Sequence, residues 1–154
     1  MGIISKYPPR VYFEDISTIA APLYCDYERE YNLTIDELLR KNGYDTYLPQ
    51  RDGGVVSEMP DYIDGIPKDR YVFEKDIAAM NSCDVFLFLL DGRVPDEGAC
   101  VALGYFHGTG KPAVGLKTDS RTLCQGQDNL MIRMALNRIC TNKKELLQYL
   151  ASLG

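Results

Sequence analysis

The chain has 154 residues, with 22 acidic and 17 basic side chains, one histidine, five cysteines and no tryptophan. A chain of this length favours a single domain, and we expect residues 1–154 to form one. The formal net charge of −5 disfavours a nucleic-acid-binding surface as the main function. One histidine cannot build a multi-histidine metal site, so acid–base chemistry would fall to carboxylates.

The cysteines are odd in number and widely spaced, without a CxxC pair. This pattern disfavours a disulfide framework or a structural zinc site and predicts buried, reduced thiols. The amino-terminal segment lacks the apolar run of a signal peptide, and the longest apolar run, residues 85–90, is too short to span a bilayer. We therefore expect a cytoplasmic protein. The cysteines are Cys25, Cys83, Cys100, Cys124 and Cys140.

The first part of the chain shows strand and helix patterns followed by a loop pattern. Apolar residues from Tyr27 to Leu39 recur at helical spacing after Asp26, and Asn42-Gly43 is typical of a left-handed helix end. A stretch rich in Gly, Pro and Asp then predicts a long loop. The predicted elements are a possible extended piece at 11–13 within an irregular start, a strand at 16–21 ended by Pro22, the helix after Asp26, a strand at 46–48 and the loop at 50–67.

The remainder of the chain alternates helix and strand. Residues 85–90 (VFLFLL) show no polar alternation, which is typical of a strand buried on both faces of a parallel sheet. Asp69 and Thr141 are predicted to cap the helices that follow them. Alternation along the whole chain predicts a three-layer α/β fold with a central parallel sheet. The predicted elements are helices at 70–81, 97–108, 129–136 and after Thr141, and strands at 85–90, 113–117 and 138–140.

In such folds the ligand lies beyond the carboxyl ends of the strands. Asp91 sits where the buried strand stops, and Asp96 sits at the entrance of the next helix, where it serves as a ligand group or only as a helix cap. Gly98 and Gly104 remove side chains from that helix, which suggests close approach of a ligand or a neighbouring backbone. Asp76, in the preceding helix, either faces the same cleft or lies on a solvated face.

Two other kinds of site are disfavoured. Cys100 and His107 could form a nucleophile pair only along one helix, and not across a cleft. The glycine-rich loops that cradle phosphates, GxGxxG and GxxxxGK[ST], are absent from the sequence.

The sequence resembles a known family, the nucleoside 2-deoxyribosyltransferases, over most of its length. The resemblance implies a flavodoxin-like (Rossmann-like) fold with a five-stranded parallel sheet. It also implies transfer of 2-deoxyribose between nucleobases with retention, without a metal or an organic cofactor. The segments that carry it are AAPLYCDYEREYN at 20–32, GYDTYLPQRDG at 43–53, FEKDIAAMNSCDVFLFLLDG at 73–92, DEGACVALGYFHGTGKP at 96–112 and TDSR…DNLM at 118–131.

The family motif D-x-G-x-x-x-E-x-G-Y has its nucleophile at the glutamate. Asp96, Gly98, Gly104 and Tyr105 match the motif, but Ala102 stands at the glutamate position. Alanine cannot attack the sugar, so we expect the covalent step to be missing and transfer to fall by several orders of magnitude.

Three explanations remain open for this alanine. The chain is an engineered knockout, which we favour because the rest of the motif is intact; or it is a natural binding protein on an enzyme fold. In the third, Glu97 or Asp91 has taken over as nucleophile, although neither occupies the matching position.

The resemblance implies roles for further residues, each of which also fits a purely structural role. Asp76 matches the general acid/base, Asp96 the residue that bonds the sugar 5′-hydroxyl, and Asn129 the asparagine that reaches a neighbouring subunit's site. Gln50 and Tyr24 match base-pocket residues. The candidate catalytic positions are therefore Asp76 and Ala102, and the candidate substrate-binding residues are Asp96, Asn129, Gly98, Asp91, Gln50, Tyr24 and Met131.

The expected partners are deoxynucleosides, free nucleobases and further copies of the chain, as a dimer or a hexamer, but neither nucleic acid nor a membrane. A related class hydrolyses deoxynucleoside 5′-monophosphates, but Asp96 would repel the 5′-phosphate, which favours nucleosides. A non-catalytic nucleoside sensor is the other alternative. A phosphate-responsive signalling domain is disfavoured because no partner lysine and acid pair accompanies Asp91 and Asp96.

Overall fold

A computed structural model describes residues 10–14, 26–92, 95–119 and 127–154 of the chain. Apart from β3 and β4, helices and strands alternate through these ranges. The strands are β1 (Arg10–Glu14), β2 (Asp45–Tyr47), β3 (Tyr62–Ile63), β4 (Ile66–Pro67), β5 (Val85–Leu89), β6 (Ala113–Leu116) and β7 (Arg138–Cys140). The helices are α1 (Asp26–Lys41), α2 (Lys68–Ser82), α3 (Glu97–Gly108), α4 (Leu130–Ala135) and α5 (Lys143–Ala151).

Five strands form the central sheet in the order β2-β1-β5-β6-β7, and each neighbouring pair is parallel. The predicted α/β fold with a five-stranded parallel sheet is therefore confirmed. The strand order reverses between β1 and β5, because the chain places β2 on one side of β1 and β5, β6 and β7 on the other. A crevice for a ligand forms at such a reversal, outside the carboxyl ends of the strands.

Strand β5 explains why helices cover both faces of the sheet. All five of its residues are buried, because Phe86 and Phe88 face one helical layer while Val85, Leu87 and Leu89 face the other. The first layer contains α2, α3 and α4, and the second contains α1 and α5. Helix α2 therefore carries Asp76 on the same side of the sheet as the α3 helix that carries Ala102.

The amino-terminal part agrees with the prediction of an extended piece at 11–13. This piece is β1, an interior strand of the sheet between β2 and β5. Val11 and Tyr12 are buried, which fits a strand with a neighbour on each side. The predicted strand at 16–21 and Pro22 lie outside the described residues.

The segment from Gln50 to Pro67, which the composition predicted to be a long loop, contains regular structure. It contains a π-helical turn at Pro49–Gly53, a 3₁₀ turn at Val56–Glu58 and the β3–β4 hairpin. The hairpin turn is Asp64-Gly65, where both residues have positive φ (51° and 80°). Asp-Gly is a strong signal for a two-residue hairpin turn, so the sequence contained the information that was missed.

Two predicted helix caps are also wrong. Helix α2 begins at Lys68 after Pro67, so Asp69 lies in the first turn, where its charge suits the positive end of the helix. Helix α5 is capped by Asn142, whose side chain accepts from the backbone N–H of Glu145 at 2.9 Å. Thr141 instead bonds the Glu145 carboxylate through its own N–H, at 2.8 Å.

Two of the described cysteines agree with the expectation of burial. Cys83 and Cys140 are buried and Cys100 is partly buried, and all three are free; Cys25 and Cys124 lie outside the described residues. Within the ranges that the structure describes, no helix is long and apolar enough to cross a membrane.

Gly115 on β6 is a packing constraint that can be tested by mutation. A Cβ at this position would lie 2.8 Å from Leu90 Cδ1 and 3.0 Å from Leu136 Cδ1, so Gly115→Ala requires these packed side chains to move. We expect a loss of about 1–3 kcal/mol in the free energy of unfolding, measured with urea. Gly108→Ala is the control, because a Cβ there would meet nothing within 4 Å. Equal stability of the two variants would contradict this account of the core.

Candidate functional site

Asp76 is a half-buried carboxyl on the side of α2 that faces the sheet, one helical turn before the buried Ala79 and Met80. Its Oδ1 accepts a hydrogen bond from the Tyr47 hydroxyl at 2.8 Å. Burial raises the pKa of Asp76 above its usual value of 3.8, and this outweighs the lowering by Tyr47 and by the charge of Lys75. Asp76 therefore does not lie on a solvated helix face, and burial makes its side chain a weaker acid than an exposed aspartic acid.

The register of the sheet holds Tyr47 in place. Tyr47 pairs with Tyr12 of β1, and Tyr12 pairs with Phe86 of β5, so the three side chains are neighbours across the strands. The rings stack at centroid distances of 5.4 Å and 5.6 Å. Phe106 of α3 closes the series at 5.4 Å from Phe86. This aromatic series fixes the direction in which the Tyr47 hydroxyl points.

A charge network holds the π-helical turn beside Asp76. The buried carboxylate of Asp36 on α1 accepts from Arg51 at 2.6 Å and lies 3.1 Å from Arg40. Arg51 also donates to the Thr46 carbonyl at 2.9 Å and pairs with Asp52 at 2.5 Å. The turn is therefore tied both to α1 and to the end of β2, and a Cβ on its last residue, Gly53, would lie 3.1 Å from Asp76 Oδ1.

Gln50 lies in this turn, but its amide bonds within the fold. Its Oε1 accepts from Asn32 Nδ2 at 2.8 Å, and its Nε2 donates to the Arg29 carbonyl at 3.3 Å. In this arrangement Gln50 connects the turn to α1. Tyr24, the other predicted base-pocket residue, lies outside the described residues.

Asp96 caps α3, as one of its two interpretations predicted. Its Oδ2 accepts from the backbone N–H of Ala99 at 2.7 Å. A Cβ on Gly98 would lie only 2.9 Å from the same oxygen, so the close approach that this glycine permits is to the Asp96 carboxylate. A Cβ on Gly104 would meet nothing within 4 Å, and this residue borders the groove between α3 and α4.

Ala102 lies on the sheet-facing side of α3 and is only 8% exposed. It belongs to the same buried cluster as Tyr12, Tyr47 and Phe86. The position that matches the nucleophile therefore faces the layer that contains the Tyr47 hydroxyl and Asp76, and it supplies a methyl group there.

Asp91 bonds the neighbouring strand end. Its oxygens accept from the Thr118 N–H, from the Thr118 hydroxyl at 2.5 Å and from the Asp119 N–H at 2.9 Å. Asp119 in turn accepts from the Gly92 N–H at 3.0 Å. These bonds join the carboxyl ends of β5 and β6, which is a structural use of Asp91.

Asn129 caps α4, with its Oδ1 accepting from the Met131 N–H at 2.8 Å. Met131 is 77% exposed, so it is not a core methionine. It borders an apolar groove of about 380 Å³ between α3 and α4, which Cys100, His107 and Met134 also line.

Cys100 and His107 do not form an activated pair. Burial and the nearby Asp96 and Glu97 raise the pKa of the Cys100 thiol, and His107 Nδ1 lies 3.2 Å from the Ala135 carbonyl oxygen. Within the part of the chain that the structure describes, no group of three or more His, Cys, Asp or Glu residues could hold a metal ion.

Sequence reasoning missed Tyr47, the residue in contact with Asp76. The available signal was the predicted strand at 46–48, because alternate residues of a strand face opposite layers and an aromatic there must meet one of them. The partner on α2 could not be deduced, since it depends on how the 49–53 turn positions the following segment.

Comparison with known proteins agrees with this fold. The profile of the nucleoside 2-deoxyribosyltransferase family matches residues 19–147. A search of the curated proteins finds no match. Among solved structures, a conserved protein from Enterococcus faecalis V583 is 23% identical, with a TM-score of 0.72, covering 96% of this chain and 99% of that one.

Two further structures have stated activities. The 2-deoxyribosyltransferase of Bacillus psychrosaccharolyticus is 18% identical, with a TM-score of 0.68 and 91% coverage of each chain. The CMP N-glycosidase of Clostridium botulinum is 17% identical, with a TM-score of 0.55, covering 92% of this chain and 98% of that one. At these identities the structures show the fold alone. The family profile spans most of the sequence, and the chain belongs to the nucleoside 2-deoxyribosyltransferase family.

The raised pKa of Asp76 predicts a pH-dependent stability. The folded state holds this proton more tightly than the unfolded state, so stability falls as pH rises from 3.8 through the folded-state pKa. Asp76→Asn keeps an acceptor for Tyr47 but removes the charge. We expect its free energy of unfolding to exceed that of the parent at pH 7, with the difference shrinking as the pH falls toward 3.8. A constant difference from pH 3 to pH 7 would contradict this assignment.

Proposed function

We propose that the chain binds 2-deoxynucleosides at the carboxyl ends of β1 and β5 and that its base-exchange activity is weak because Ala102 replaces the nucleophile. The observation that carries the proposal is the position of Ala102, which faces the same buried layer as Tyr47 while an otherwise intact motif surrounds it. Membership of the family supports the class of substrate.

Asp76 has the properties that the departing base requires. Breaking an N-glycosidic bond leaves negative charge on a base nitrogen, and a carboxylic acid beside that nitrogen can donate a proton. Burial favours the protonated form of Asp76, and Tyr47 orients it. In the reverse direction the same carboxylate would take a proton from an incoming base.

Asp96 is proposed to contact the sugar. Its Oδ2 is used by the cap of α3, and its side chain is only partly buried, so Oδ1 is available for a hydroxyl donor. The 5′-hydroxyl of a nucleoside could donate to this oxygen, whereas a 5′-phosphate would be repelled.

The covalent step needs a carboxylate beneath the anomeric carbon. The two other carboxylates considered for this role fit poorly: Asp91 bonds three donors at the β6 end, and Glu97 is exposed in the first turn of α3. The explanations that remain are a knockout of an active enzyme, which we favour, and a natural nucleoside-binding protein.

A second candidate function is hydrolysis of deoxynucleoside 5′-monophosphates. The observation that favours it is the fold shared with a CMP N-glycosidase. The position of Asp96 favours nucleosides instead, because a dianionic phosphate close to this carboxylate is disfavoured.

We also propose that a second copy of the chain covers the groove between α3 and α4. Apolar side chains beside the groove project into solvent, with 77% exposure at Met131, 64% at Met134 and 61% at Leu130. Exposed apolar clusters of this kind are typical of interfaces. Asn129 begins the same helix, so a copy docked here would bring an Asn129 side chain toward its partner.

Ala102→Glu tests the proposed loss of the nucleophile. We expect base exchange, followed by chromatography of deoxynucleosides and free bases, to rise by about three orders of magnitude or more. Ala102→Gln is the matched control, since it has the same length as glutamate without a nucleophilic carboxylate, and it should show no such rise.

The outcomes of this experiment separate the alternatives. If Ala102→Glu is as inactive as Ala102→Gln and both variants still bind a nucleoside, a non-catalytic nucleoside sensor would be favoured. Release of the base from a 5′-monophosphate faster than from the nucleoside, by the unmodified chain, would favour the glycosidase. Either result would contradict the proposal.

Met134→Glu tests the proposed interface. A charge among the exposed apolar side chains beside the groove should convert the oligomer into monomers in sedimentation experiments. It should also weaken nucleoside binding. Phe73→Glu is the control, because Phe73 is a 52% exposed apolar residue on α2, outside the groove. A stable monomer formed by the parent chain would contradict the proposed assembly.

A further inference from the structure

The two oxygens of the Asp76 carboxyl have different surroundings. Oδ1 accepts from the Tyr47 hydroxyl at 2.8 Å, and Gly53 approaches the same oxygen so closely that a Cβ there would lie 3.1 Å away. Across residues 10–14, 26–92, 95–119 and 127–154, Oδ2 makes no hydrogen bond. This atom is also not fully buried. It is therefore the oxygen that a ligand can reach.

We propose that Tyr47 is a positioning residue for Asp76: by donating to Oδ1, it confines the acid proton to Oδ2, the oxygen open to the nucleobase. This inference rests on the proposed function, because the nucleobase is the group that would receive the proton.

The chemistry follows from the donors and acceptors of the two groups. A protonated carboxyl has one carbonyl oxygen, which is the better acceptor, and one hydroxyl oxygen, which donates. The Tyr47 phenol donates to Oδ1, so Oδ1 takes the carbonyl role and the proton resides on Oδ2. The bond to the leaving nitrogen then forms from Oδ2–H, and the resulting carboxylate keeps its bond to Tyr47.

The fold gives Tyr47 little freedom to lose this bond. Its side chain is buried and stacked on Tyr12, and the hydroxyl lies on the axis of the ring, so a ring flip does not move it. Gly53, at the end of the turn tied by Asp36 and Arg51, packs beside this hydrogen bond, since a Cβ there would lie 3.1 Å from Asp76 Oδ1 and 3.6 Å from the Tyr47 hydroxyl.

Among the described residues, few other charges bear on Asp76. Lys75, on its own helix, favours the ionised form, and Tyr47 is the titratable group that faces it from β2. In the neighbouring turn, Arg51 is paired with Asp36 and Asp52. The position of the proton is therefore governed mainly by Tyr47.

Tyr47→Phe tests the inference, because it keeps the ring and the stack and removes only the hydroxyl. The readouts are the pH titration of the Asp76 side-chain carbon by ¹³C NMR, assigned with Asp76→Asn, and the affinity for a free nucleobase by calorimetry. We expect the pKa of Asp76 to rise further, since a bond to its ionised form is lost, and the affinity at low pH to fall about tenfold. Tyr44→Phe, on a partly buried tyrosine against the other face of the sheet, should change neither.

An unchanged Asp76 titration in Tyr47→Phe would overturn the inference. If a nucleobase binds no variant at any pH, the proposed function fails, whereas the titration still decides the role of Tyr47. Should Tyr47→Phe fold poorly, Gly53→Ala supplies a second test, because its methyl group would push Oδ1 away from Tyr47 and raise the pKa in the same direction. No rise in either variant would again contradict the inference.

Discussion

The burial of β5 on both faces is the constraint on which the rest of the structure depends. A strand without polar residues needs helices above and below it and a neighbouring strand on each side. Strand β5 lies between β1 and β6, and helices cover both of its faces. Its Phe86 stacks on Tyr12, and Tyr12 stacks on Tyr47, so the packing of the core extends across three strands to the hydroxyl that bonds Asp76. The geometry of the site is thus a consequence of strand register.

In the proposed function, the candidate site combines a general acid, Asp76, with an alanine, Ala102, at the position of the nucleophile. Asp76 is partly buried, accepts a hydrogen bond from Tyr47 and has a raised pKa, which are properties that suit a proton donor to a leaving base. Ala102 faces the same layer from α3 but offers only a methyl group. A member of this family with such a site can still be expected to hold a nucleoside while lacking the covalent step.

Regular elements could be predicted from the sequence because their hydrophobic patterns are local, as in VFLFLL and in the stripe of α1. The errors have two causes. Two neighbouring polar residues can both cap a helix, and Asn142 caps α5 where Thr141 was predicted. A hairpin turn such as Asp64-Gly65 is also easily overlooked inside a segment rich in loop-forming residues. Asp76 and Asp96 could be proposed from their positions in the chain. The contact between Tyr47 and Asp76 could not, because it depends on a turn held by Asp36 and Arg51 across three elements.

The most direct measurement is a crystal structure of the chain with a bound 2-deoxynucleoside. The account predicts a base nitrogen at hydrogen-bond distance, about 3 Å, from Asp76 Oδ2, with the anomeric carbon facing Ala102 and no covalent bond to the protein. A nucleoside bound away from Asp76, or a sugar attached to another carboxylate, would contradict it.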